Sequence, residues 1–157
     1  MADYHIAQLN IGRLVAPVGD PRVAEFVDNL VRINQLGHQT PGFVWQLLTE
    51  DGDSTAFRIF EGDDMLINLT VWEDINSLYK FAYSSEHVEF FRRRREWFHK
   101  LEDYPALVLW WVPAGHYPTL EEARDKVLYL KEHGPTPLAF TFKQRFSVEE
   151  MLQAQIE

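Results

Sequence analysis

Two stretches of this chain alternate with a period of two, and each is followed by a capped amphipathic helix. In the first, His5, Ala7, Leu9 and Ile11 alternate with Ile6, Gln8, Asn10 and Gly12. In the second, Met65, Ile67, Leu69 and Val71 alternate with Leu66, Asn68, Thr70 and Trp72. That period belongs to a strand with two different faces. Pro17, Gly19 and Pro21 break the first stretch, and Asp20-Pro21 opens a helix with an N-cap and a first-turn proline. Val23, Phe26, Val27, Leu30, Val31, Ile33 and Asn34 then recur at helical spacing as far as Gly37. After the second stretch Asp74 caps a helix whose stripe is Ile75, Leu78, Tyr79, Phe81 and Ala82. Ser84-Ser85 interrupts it, and a second helical piece runs from 86 to about 100.

The remaining segments complete the pattern. Residues 42–49 (GFVWQLLT) and 106–112 (ALVLWWV) read as strands, and 55–60 reads as a further short strand or hairpin arm. The order is then strand, helix, strand, strand, helix, strand. This is the βαββαβ split motif, which gives an α+β fold with a four-stranded antiparallel sheet. Thr119-Leu120-Glu121-Glu122 is a capping box for a further helix ending at His133-Gly134. Residues 139–146 look extended and 147–157 helical. One domain of 157 residues is expected, with its core in 4–112 and a C-terminal helix and arm in 119–157.

Composition removes whole classes of function. There is no cysteine, which excludes disulfides, thiolate metal sites and a Cys nucleophile. Asp and Glu total 24 against 15 Lys and Arg, a formal charge of -9, so neither nucleic acid nor an anionic membrane is an expected partner. No apolar run approaches the ~20 residues of a membrane span. The N-terminus lacks a basic segment followed by an apolar one, so a cytoplasmic protein is expected. GxGxxG, GxSxG and HExxH patterns do not occur, and no histidines pair at i, i+3 or i+4 as a zinc site requires.

Candidate site residues come from the strand faces. Gln8, Asn10, Asn68, Thr70 and Trp72 share the polar sides of two strands, while the opposite sides are apolar and are expected to pack on the helices. Buried amides without partners cost about 1–3 kcal/mol each. Two readings satisfy them. In one, two sheets pair face to face in a homodimer and enclose a semi-polar cavity. In the other, Asn10 and Asn68 bond each other or water and line nothing functional. His87, at the start of the second helical piece, is an acid–base candidate, since imidazole titrates near ~6.5. Arg92 to Arg95 span every direction of a helix; Arg95, set between Phe91 and Phe98, is the one expected to turn inward toward a substrate carboxylate. Trp110 and Trp111 face opposite sides, one toward the cavity, where an aromatic wall suits a flat apolar ligand. His116, in the turn after the last strand, stands either at a cavity mouth or against the following helix. His5, His38 and His99 carry no pattern.

Trp72-Glu73-Asp74, a helix, and then Ser84-Ser85-Glu86-His87 resemble the dimeric α+β barrel superfamily over residues 4–112. That group includes cofactor-independent antibiotic-biosynthesis monooxygenases, haem-degrading monooxygenases, muconolactone isomerases, chlorite dismutases and stress-responsive barrels. A closer resemblance is carried by HIAQLNIGRL, DPRVAEFVDNL, INQLGHQTPGFVWQL, NLTVWEDINSLYKFAY, RRRREWF, LWWVPAGHYPTLEEA and HGPTPLAFTF. It is to a bacterial barrel family described only as a domain of unknown function. The superfamily resemblance implies a homodimer and a cofactor-free oxygenase or isomerase acting on an aromatic, polyketide-like substrate. His87 would then serve as acid or base, Asn10 and Asn68 would orient or hold an oxyanion, and Trp72 would stack on the ligand. Asn10, Trp72 and His87 also resemble the set of the haem-degrading members, which implies the alternative of haem with His87 as axial ligand. A non-catalytic ligand-binding or stress-response dimer is the third alternative.

Overall fold

The computed structural model describes residues 3–17, 19–48 and 65–156, without the side chains of Ser85, Glu86, Phe90 and Phe91. The strand or hairpin arm expected at 55–60 lies outside the described residues.

The long alternating segment forms β1 (Tyr4–Leu14). Asp20 then accepts from the Arg22 N–H and opens a short 3-10 turn, Pro21–Val23, that feeds α1 (Ala24–Gln39). Strands β2 (Phe43–Gln46) and β3 (Met65–Trp72) follow. Asp74 caps α2 (Ile75–Ala82) by accepting from the Ser77 N–H at 2.7 Å. The second helical piece is not continuous. It is α3 (Ser85–Arg92), a break at Arg93, and a single turn, α4 (Arg94–Trp97). A two-residue strand β4 (Phe98–His99) and then β5 (Leu107–Pro113) complete the sheet. Thr119 caps α5 (Leu120–His133), Gly134 ends it at φ +72°, and α6 (Val148–Ile156) closes the described chain.

The sheet is antiparallel at every described pairing. β1 sits in the middle between β3 and β5, β2 lies outside β3, and β4 extends the far end of β1 at Arg13 and Leu14. This is the ferredoxin-like arrangement expected from the element order.

The two faces of the sheet are used differently from the sequence expectation. The apolar side does not meet the helices of the βαββαβ unit. Ala7, Leu9, Ile11, Met65, Ile67, Leu69, Val71, Val108, Trp110 and Val112 pack instead against Ala123, Val127 and Leu130 of α5 and against Ala139. All of them are 6% exposed or less within one chain. That face is closed within the chain by α5 and Ala139. The physical reason is the C-terminal extension: an apolar face left bare would draw whichever apolar helix the same chain can bring to it.

The polar side lies under α1 to α4. At one end Trp72, Ile6 and Leu109 pack with Leu78 and Phe140, flanked by Phe43, Phe81 and Trp111. At the other end Leu14, Ala16, Val23, Leu66 and Trp97 pack with Phe26 and Phe98. Arg93 clamps this end from outside, donating to both carboxylate oxygens of Glu25 at 2.6 Å and to Glu96 at 2.7 Å. The extended arm of 139–146 packs along β5. Phe140 exchanges backbone hydrogen bonds with Leu109, and the Trp111 Nε1–H donates to the Phe146 carbonyl at 2.8 Å.

Gly42 fixes how the α1–β2 turn meets this layer. It adopts φ +95°, its carbonyl accepts from the Glu73 N–H at 2.7 Å, and an added Cβ would collide with Cβ and Oγ of Ser77. Gly42→Ala is expected to cost about 2 kcal/mol or more, since the left-handed backbone and the overlap act together; the midpoint of urea unfolding measures it.

Candidate functional site

Five of the sequence candidates share one face of the two central strands. Gln8 pairs with Thr70 and Asn10 with Asn68 across the β1–β3 ladder. Trp72 lies one step further along β3, opposite Ile6. Gln46 of β2 flanks Thr70 on the outer side. A polar strip two residues wide therefore runs between the two aromatic ends of the helix-covered layer.

Two hydrogen-bond chains organise the strip. In the first, the Trp72 Nε1–H donates to Thr70 Oγ1 at 3.0 Å, and the Thr70 hydroxyl donates to Gln8 Oε1 at 2.7 Å. All three residues are buried. In the second, Gln46 Nε2 donates to Asn68 Oδ1 at 2.8 Å and to Asn34 Oδ1 at 3.1 Å, and Gln46 Oε1 lies 2.7 Å from His38 Nε2. Gln46 and Asn34 are buried. These chains answer the cost of amides under helices: most polar groups of the strip are paired within the layer.

What the chains leave open is specific. The Asn68 oxygen is occupied by Gln46, and its Nδ2 meets no acceptor among the described residues. Asn10, directly across the ladder, is exposed and makes no side-chain hydrogen bond among the described residues. An exposed amide in the middle of a central strand, on the face that helices cover, marks the place where this layer opens. Asn10 and Asn68 do not simply bond each other.

His87 approaches from α3 through aromatic contacts. Its ring lies 5.1 Å from Phe81, which stacks on Trp72 at 5.3 Å. Burial lowers its pKa below the ordinary 6.5, and a hydrogen bond to the Ala82 backbone opposes this only in part. Its Nδ1 is buried without a hydrogen-bond partner among the described residues. The imidazole is thus neutral at pH 7, with one nitrogen uncommitted. A haem iron needs an imidazole nitrogen with open access, and Nδ1 of His87 has none; the residues present do not fit an axial ligand there. Among the described residues, no three His, Asp or Glu side chains are grouped to hold a metal ion.

Three other candidates lie elsewhere. Arg95 is exposed. The break at Arg93 resets the helical phase, so that Trp97, at 2% exposure, is the residue α4 turns inward. Trp110 is on the opposite, α5-covered face, where its Nε1–H donates to Glu122 Oε2 at 2.9 Å. His116 bonds the other oxygen of the same carboxylate, with Nε2 at 2.7 Å from Oε1. It therefore serves the start of the following helix, the second of the two roles the sequence allowed. Neither Trp110 nor His116 joins the polar strip.

Sequence reasoning passed over Gln46, Asn34 and His38. Two of them carried a signal. Gln46 is a lone amide within an apolar strand, and Asn34 occupies a position in the apolar stripe of its helix. His38 showed none, because a histidine in the last turn of a helix reads as a cation at its C-terminus.

Strand order and the helix-covered polar strip define a ferredoxin-like α+β domain. A family model described as a domain of unknown function, DUF3291, matches residues 5–155, and the chain belongs to that family. Among solved structures, a conserved protein from Methanosarcina mazei Go1 is similar at a TM-score of 0.50 and 17% identity, over 68% of this chain and 90% of that one. SnoaB, a cofactor-independent oxygenase from Streptomyces nogalater, aligns at a TM-score of 0.46 and 18% identity, over 77% of this chain and all of its own. MupZ from Pseudomonas fluorescens aligns at 0.43 and 15% identity, over 95% of this chain and 92% of its own. At such identities the likeness is one of fold. No curated protein sequence matches the chain. No described helix is long and apolar enough to cross a membrane.

Two outcomes are expected. Thr70→Val removes the hydroxyl that links Trp72 to Gln8, at about 1–3 kcal/mol for each polar group left unpaired in denaturant unfolding. For His87, the folded pKa lies below the free value of 6.5, so between the two the unfolded chain holds a proton that the folded chain lacks. This contribution to stability is complete above the free value and is lost as pH falls toward the folded one. The drop in unfolding midpoint between about pH 7.5 and about pH 5.5 is expected to be smaller in His87→Gln than in the unaltered protein.

Proposed function

We propose that this protein oxidises a flat, hydroxylated aromatic substrate with molecular oxygen and without a bound cofactor, in the layer between the polar strip and α1 to α3. The observation that supports this reading is the Asn10–Asn68 pair. The Gln46 hydrogen bond keeps the Asn68 oxygen occupied and its N–H group available, and Asn10 stands open beside it. Amide donors held in place in a partly dry layer stabilise charge that develops on a phenolate or enolate oxygen. The half-buried rings of Phe81 and Trp111, which flank buried Trp72, suit a planar apolar body.

In this reading the substrate supplies the electrons. The acidic ring hydroxyl, or the carbon next to a carbonyl, gives its proton to water at the open side beside Asn10, since the buried Nδ1 of His87 has no access to it. The resulting anion is held by Asn68 and Asn10 and transfers electron density to O₂, forming a carbon–oxygen bond. Loss of water from the peroxide then converts CH₂ to C=O, so one O₂ gives one ketone oxygen and one water. Every group named lies in a single chain, so the reading does not require the second subunit implied by the sequence resemblance; whether two chains associate is a separate question for native mass spectrometry. A binder that merely holds such a ligand would use the same rings and amides but would leave oxygen untouched.

An oxygen electrode with a panel of anthrones and naphthols as probes separates these readings. Oxygen uptake matched one to one by quinone or ketone formation is expected with at least one probe. Asn68→Ala is expected to lower kcat by about 10²–10³, the range for loss of one preorganised oxyanion donor, with the fold retained by circular dichroism. Binding without uptake across the panel overturns the catalytic reading in favour of a ligand-binding protein.

A further inference from the structure

The second hydrogen-bond chain reaches the surface. His38 sits in the last turn of α1 and is exposed, yet its Nε2 is 2.7 Å from Gln46 Oε1, with the ring 4.7 Å from Phe43. Gln46 is buried, and its amide meets three partners: His38 on the oxygen side, Asn34 Oδ1 and Asn68 Oδ1 on the nitrogen side. A primary amide cannot be reversed here by itself, because its oxygen would then face two amide oxygens. The chain closes in only two ways. If His38 Nε2 carries a hydrogen, it donates to Gln46 Oε1, Gln46 donates to Asn68 Oδ1, and the Asn68 N–H group is left for the site. If Nε2 is bare, every amide turns over: Gln46 donates to the ring, Asn68 donates to Gln46, and the Asn68 oxygen is left for the site.

We propose that His38 is a positioning residue that, through Gln46, sets whether Asn68 offers the site a hydrogen-bond donor or an acceptor, and that it is held with its hydrogen on Nε2 so that a donor is offered. This rests on the reading of Asn68 as an oxyanion donor, and it deepens that reading by assigning the group that fixes the amide's polarity. Asn10 has no such support, so the directed donor of the pair is Asn68. His38 is not catalytic, since it touches neither the strip's open side nor Asn10. It acts on the site across two hydrogen bonds.

The test needs no substrate. Long-range proton–nitrogen correlation spectra of the full-length ¹⁵N-labelled protein report which ring nitrogen of His38 carries hydrogen, and the same sample shows the Asn68 side-chain amide and the Trp72 indole N–H. The expected ring is hydrogen-bearing at Nε2. In His38→Ala the Asn68 amide resonances are expected to shift and to exchange with water several-fold faster, as the loss of one neutral hydrogen bond allows. The Trp72 indole, which belongs to the separate Thr70–Gln8 chain, is expected to stay in place. His38→Gln, whose amide nitrogen can donate in place of Nε2, is expected to restore the Asn68 signals. A neutral His38 with its only hydrogen on Nδ1 overturns the proposal. So does an unmoved Asn68 in His38→Ala, a movement of Asn68 and Trp72 together, or an Asn68 that His38→Gln fails to restore. Absence of oxygen uptake with the probe panel would sink the catalytic reading and leave these spectra as they are, so the two failures are told apart.

Discussion

The pairing of β1 with β3 is the constraint on which everything else rests. Its register runs from Ile6 opposite Trp72 to Arg13 opposite Met65. Side chains alternate strictly along both strands, so a slip of β1 by one residue would send Gln8 and Asn10 into the α5 layer and bring Ala7 and Leu9 under α1, and a slip of β3 would do the same to Asn68 and Thr70 and to Ile67 and Leu69. Either error would bury two polar side chains against the apolar surface of Val127 and Leu130. The register is therefore held by both faces at once, by apolar burial on one and by paired amides on the other.

The same alternation divides the molecule's work. The α5 side is a closed apolar core whose few polar atoms are tied off at its rim, as the Glu122 carboxylate shows by accepting from the Trp110 indole and pairing with His116. It stabilises the sheet and offers little chemistry. The other side is held open by amides that already have partners. Gln46 and Thr70 act as hubs there, and the aromatic groups at the two ends keep the helices from collapsing onto the strip.

Much of the strip was legible in the strands. Gln8, Asn10, Asn68, Thr70 and Trp72 fell on one face because a period of two is a local property that needs no knowledge of the fold. Which elements cover that face was not legible. A helix at 120–133 has no local mark saying which side of a sheet it will take, and this one took the apolar side. Arg95 was misread for a related reason. Its direction depends on helical phase, and phase is lost at the Arg93 break, which follows from the packing of Trp97 and the bidentate Arg93–Glu25 contact between elements 68 residues apart in sequence. His38 and Asn34 joined the site only when α1 was laid across β2.

The alternation, the caps at Asp20, Asp74 and Thr119 and the order of elements were settled by short-range chemistry, and with them the ferredoxin-like topology. Those signals act within a few residues, so they survive without tertiary context. The choice of covering helix, the inward turn of Trp97 and the meeting of His38, Gln46 and Asn68 were settled only in the folded molecule. Each depends on contacts between residues far apart in the chain, and a hydrogen-bond chain such as His38–Gln46–Asn68 has a direction only once all its members are in place.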